Sequence, residues 1–162
     1  KGVPFRTSHS AKSVAASNWE SAARRMLSAL NEAVDMLLEE GLENVFKRHK
    51  RHADATRIAV ETWGLEILAK NPIERSDSIT AIMTPEGHDS DNLRKIIYDN
   101  YNMSLGTGLN KVKGRVFRIG HLGDLNDLTL AGTLSGVEMG LNQSGIPFKK
   151  GGVMAALDFL SK

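Results

Sequence analysis

The sequence predicts an α+β domain of two layers, a small sheet of three or four mostly antiparallel strands flanked by helices. Two observations carry that expectation. Apolar residues recur at intervals of three and four over five stretches, the signature of helices with one buried side. Between these stretches lie short segments of strand character, bounded by glycine, proline or asparagine. At 162 residues the chain is long enough to bury roughly 70% of its extended surface, so one real core is expected. No repeat of 20 to 50 residues and no internal linker interrupts it.

In chain order, residues 1 to 18 are rich in Ser, Ala and Lys without a sustained period and read as a loose lead segment. From about Glu20, the spacing of Ala23, Met26, Leu27, Leu30, Val34, Leu37 and Leu38 predicts a helix that stops at Gly41. A second helix, about Glu43 to Trp63, would bury Val45, Phe46, His49, Ala53, Thr56, Val60 and Trp63. Leu65–Leu68 and Ser78–Thr84 read as strands; in the second, Ile79, Ala81 and Met83 alternate with Thr80, Ile82 and Thr84. Ser90 is the expected cap of a third helix burying Leu93, Ile96, Ile97 and Tyr101. Two more strands, near Met103–Leu105 and Arg115–Ile119, flank the loop GTGLNKVKG. A helix capped by Asn126 follows, with Leu130, Leu134, Val137 and Leu141 in a stripe. Its Gly132, Gly136 and Gly140 suggest a bare face lying against a sheet. Gly152 to about Leu160 reads as the last helix.

Composition narrows the function classes. A formal charge of +2 is too small to suggest nucleic acid, and the absence of cysteine excludes disulfides and thiolate chemistry. No apolar run approaches the ~18 residues of a membrane span, and the start lacks the apolar stretch of a secretory signal. A soluble, cytoplasmic protein is the expectation, with a peroxisomal location left open. The chain starts at Lys1 rather than methionine, which suggests part of something longer or a processed product.

Four features compete as sites. The cationic run KRHKRH, Lys47–His52, reads as a solvated helix face, because no interleaved aromatics make it a nucleic-acid patch. His49 and His52 have a spacing that could share a metal, but no third ligand completes a site. The loop Gly106–Lys111 resembles a phosphate cradle only loosely, and a connection that shapes a pocket wall is the better reading. Lys12 could form a Schiff base only if desolvated, and nothing around it predicts a core. Arg118 stands apart. Strand alternation places it on the face of Val116, opposite Phe117 and Ile119, at the edge where the strand meets Gly120 and Gly123. A buried guanidinium needs an anion nearby. That anion is either a protein carboxylate such as Asp124 or Asp127, or the carboxylate of a substrate, which the planar fork fits.

The stretch YNMSLGTGLNKVKGRVFRIGHLGDLNDLTLAGTLSGVEMGL, residues 101–141, together with NEAVDMLLEEGLENVFKRHKRHADATRIAVETWGLE, residues 31–66, resembles the C-terminal domain of the class V aminotransferases of fold type I. The serine–glyoxylate and alanine–glyoxylate branches are the most similar. The resemblance implies that residues 26–162 form the small C-terminal domain, with residues 1–25 as a poorly matched lead. It implies a pyridoxal 5'-phosphate enzyme, a homodimer, moving an amino group from an amino acid of serine or alanine type to glyoxylate or a related 2-oxo acid. Arg118 would hold the substrate α-carboxylate, and Ser21 is the candidate contact to the cofactor. The Schiff-base lysine and most of the cofactor site would lie in a large N-terminal domain, so these 162 residues alone are expected to be inactive. The competing expectation is a non-catalytic module that binds a carboxylate or a protein partner with the same fold.

Overall fold

The computed structural model describes the backbone of residues 10–162 and the side chains of residues 19–162; Lys12 therefore lies outside the described side chains. Five helices and four strands follow in the order α1 (Ser10–Glu40), α2 (Leu42–Trp63), β1 (Glu66–Ile67), β2 (Ile79–Met83), α3 (Ser90–Tyr101), β3 (Gly106–Thr107), β4 (Val116–Gly120), α4 (Asp127–Ser144) and α5 (Gly152–Leu160). The chain divides into two compact units, residues up to Val45 and residues Phe46–Lys162.

The first unit is dominated by α1. This helix starts at Ser10, ten residues earlier than the apolar period suggested, so the segment read as a loose lead is helical from that point on. Alanine and serine without an apolar face still satisfy their backbone groups in a helix, and periodicity is blind to such a stretch.

In the second unit the strands form one antiparallel sheet in the order β1-β2-β4-β3, which confirms the α+β two-layer expectation. Phe117 and Ile119 of β4 and Ile82 of β2 face the core, where they meet Leu93 and Ile97 of α3, the α4 stripe, and Ala59, Val60 and Trp63 of α2. All four stripe residues of α4 are fully buried. On β2 the buried side is the one that carries the threonines. Thr80 donates to His121, and Thr84 donates to the backbone of His88 and Arg115, so neither hydroxyl is left unsatisfied.

Three expectations need correction. Phe46 is exposed rather than part of the buried side of α2. The cap of α3 is Asp89, whose carboxylate accepts from the Asp91 N–H, while Ser90 is buried and donates to Val116 O of β4. Two of the three α4 glycines meet α3 and its following loop instead of the sheet, and Gly132 has nothing within 4 Å: a Cβ at Gly140 would lie 2.3 Å from Ile97 Cγ1, and one at Gly136 2.7 Å from Met103 Cε.

The last helix is fastened by Glu138 of α4. Its carboxylate accepts from the Trp63 indole and from the N–H groups of Gly151 and Val153 at the start of α5. Partial burial pushes its pKa up, but these donors outweigh that and hold it below the ordinary glutamate value.

Candidate functional site

Arg118 occupies the middle of β4, paired with Ala81 of β2 on one side and Gly106 of β3 on the other. The register puts it on the sheet face opposite Phe117 and Ile119, as alternation requires, with Val116 and Gly120 as same-strand neighbours. The side chain is half-buried, and its Nε is sealed from solvent without a hydrogen-bond partner. No ion pair among the described residues reaches it. Asp124 is exposed, and Asp127 is committed elsewhere, to Arg51 at 2.6 Å and His52 at 3.0 Å. The carboxylates that could have neutralised Arg118 internally do not do so. A Cβ at Gly120 would meet nothing within 4 Å, so the strand end beside Arg118 is open. A cleft of about 700 Å³ lies farther along the sheet, walled by Leu65, Glu66, Met83, His88 and Arg115; Arg118 is not among its lining residues.

The turn that follows β4 is held from two directions. His121 is fully buried. Its Nδ1 faces the Asp77 carbonyl at 3.0 Å, which can only accept, so Nδ1 carries the proton and Nε2 accepts from the Thr80 hydroxyl at 2.9 Å. Burial lowers the imidazole pKa to about 4; the Asp77 carbonyl works against that shift, and the Arg57 and His52 charges reinforce it. Gly123 sits at φ +89°, a conformation open to glycine at little cost. Its N–H donates to His49 Nε2 at 3.1 Å, and its carbonyl accepts from Arg48 at 2.6 Å.

Four residues of the KRHKRH run thus form a clamp, while Lys47 and Lys50 stay on the solvated face the sequence suggested. His49 and Arg48 hold Gly123, while Arg51 and His52 hold Asp127, the first residue of α4. Arg51 also donates to the Leu160 carbonyl at the end of α5. The Arg51 hydrogen bond is the main reason the Asp127 carboxyl is held below its ordinary value, with His52 adding to it against partial desolvation. Among the described residues no three metal-ligating side chains converge.

The loop weighed as a phosphate cradle supplies β3, the edge strand beside Arg118, in place of the strand expected near Met103–Leu105, and is followed by a short 3₁₀ turn at Asn110–Val112. Ser21 lies on α1, in the first unit, and Arg118 in the second. Sequence reasoning missed His121, His49 and Arg48 as the groups that fix the turn. For His49 and Arg48 the signal was present in the spacing of the cationic run, but a helix face of charges looks the same whether water or a loop covers it.

No family model matches the chain. It is 50% identical over 136 residues to the serine–glyoxylate aminotransferase of Methylorubrum extorquens, covering 83% of this chain and 34% of that protein. Against the serine–glyoxylate aminotransferase of Arabidopsis thaliana the identity is 47% over 137 residues, covering 84% of this chain and 34% of that one. Among solved structures, the ureidoglycine–glyoxylate aminotransferase of Bacillus subtilis superposes with a TM-score of 0.79 at 27% identity, over 85% of this chain and 36% of that one. The chain spans about a third of the length of the curated relatives it matches.

Proposed function

The chain belongs to the class V aminotransferases as a counterpart of their C-terminal part, and from that premise we propose that residues 26–162 are the small domain of a glyoxylate-linked transaminase. The reaction moves an amino group from an amino acid of serine or alanine type to glyoxylate or a related 2-oxo acid, in a homodimeric enzyme. Arg118 is the group that grips the α-carboxylate common to donor and acceptor. The observation that supports this reading is a guanidinium on an open sheet face, with its Nε buried and no protein carboxylate on it. A cation held this way is costly unless an anion arrives, and both substrates bring one.

The pyridoxal 5'-phosphate of such enzymes supplies the electron sink for the amino transfer. It needs an amine kept out of water, an acid for its ring nitrogen and a cup for its phosphate. Among the described residues no lysine is buried, so they do not supply that amine. What they fit is the substrate. The chain's contribution is orientation: the fork fixes the carboxylate, and the clamped turn behind β4 fixes the fork's strand. Ser21 as a cofactor contact and the large domain as the source of the remaining groups belong to the same proposal.

Arg118→Ala in the full enzyme should lower kcat/KM for both substrates by roughly a hundredfold, as expected for the loss of a charged, two-pronged contact. The cofactor absorbance should be retained. Steady-state kinetics with serine and glyoxylate test it, and unchanged values would refute the role.

A further inference from the structure

Gly106 faces Arg118 across the β3–β4 pair, and the guanidinium does not stand away from it. A Cβ on residue 106 would lie 3.0 Å from both Cβ and Nε of Arg118 and 3.5 Å from its Cζ. The arginine therefore runs across the bare backbone of Gly106, and the missing side chain is the space it occupies. On its other side the paired residue is Ala81, so the fork lies in a slot between two small residues.

We infer that Gly106 is a positioning residue for the carboxylate clamp. Its backbone is the floor that turns Nε away from water and leaves the terminal Nη pair as the part of the fork that an anion can meet. The floor is itself pinned on both sides by α3. Arg94 donates from Nε to Leu105 O at 2.8 Å, and the Thr107 hydroxyl donates to Asp91 Oδ1 at 3.0 Å, with Arg94 Nη1 on the same carboxylate oxygen at 2.9 Å. Residues 105 and 107 cannot slide to relieve crowding at 106, so a side chain there must displace the arginine instead. The φ of Gly106 lies outside the left-handed region, so a substitution carries no backbone strain of its own. The effect falls on Arg118.

The inference rests on the proposed role of Arg118, and the experiment separates the two. In the full-length enzyme, Gly106→Ala requires the fork to give by a few tenths of an ångström, whereas Gly106→Val requires more. The expected pattern is a graded rise in KM for both serine and glyoxylate, about tenfold for valine, with smaller change in kcat and an unchanged cofactor spectrum. A general loss of structure would not split KM from kcat in this way. The second readout is the Arg118 Nε–H resonance, assigned by its loss in Arg118→Lys. Its exchange with water should be slow in the wild type and faster in Gly106→Ala, a variant mild enough to fold. If KM and Nε–H exchange stay at wild-type values in both Gly106 variants while Arg118→Ala loses activity, the positioning role is wrong and the clamp stands. If Arg118→Ala also keeps its activity, the functional reading fails, and exchange alone then decides whether Gly106 holds the fork.

Discussion

Helices α1 and α4 both repeat apolar residues at intervals of three and four, yet water treats them oppositely. On α4, Leu130, Leu134, Val137 and Leu141 are each 0% exposed, packed by α3, α5 and the sheet. On α1, Met26 is 74% exposed, Leu30 60% and Leu38 63%, with Trp19 at 75%. A stripe defines which side of a helix is apolar. Whether that side leaves water, and so whether it stabilises anything, depends on the elements that reach it. The two units differ in the same way in their polar groups: the second buries histidines, threonines and a serine, each bonded to a backbone or side-chain partner.

The largest test of that contrast is a pair of truncations. Leu134→Ala should cost about 2–5 kcal/mol through lost burial and the cavity left behind, while Leu30→Ala should stay within about 0.5 kcal/mol. Urea unfolding followed by circular dichroism reads both. Equal losses would mean that the α1 stripe is covered in solution and would break the comparison.

The next effect is a pH dependence that arises at His121 in the second unit. His121 is held neutral with its pKa near 4, below the unfolded value of 6.5. A depressed pKa means that the unfolded chain binds the proton more readily between those two values. The stabilisation is therefore complete above about pH 6.5, falls as pH drops toward 4, and is lost below it. Its size is at most about 3 kcal/mol. Unfolding free energies measured between pH 7 and pH 4 should slope accordingly, and His121→Gln should remove that part of the slope.

The smallest effect sharpens the comparison within α4 itself. Gly140→Ala should destabilise by about 1–3 kcal/mol, because its methyl meets Ile97 and Leu93. Gly132→Ala, with nothing within 4 Å, should stabilise by about 0.5–1 kcal/mol through helix propensity alone. Thermal melts of the two variants should move in opposite directions.

Legibility followed the same line. The strand at residues 116–120, the Asn126 cap and the span Gly152–Leu160 were readable because alternation, a side-chain oxygen three residues before its N–H, and a dense apolar run are local signals. The α1 start was not, since Ser10–Glu20 lacks a period. The side of β2 that faces inward was not either: Ile79, Ala81 and Met83 look more apolar than Thr80, Ile82 and Thr84, and only the His121 and backbone partners of the threonines settle it.

That Arg118 stands on a strand before a glycine turn, on the face opposite Phe117 and Ile119, follows from the residue order alone. Periodicity of two is enough for that. It took the folded chain to establish that no carboxylate among the described residues reaches it, that Asp127 is taken by Arg51 and His52, and that Gly106 lies beneath its Nε. Those are contacts between residues 12 to 76 positions apart, set by strand pairing and helix packing. Neither a spacing rule nor a propensity reaches that far.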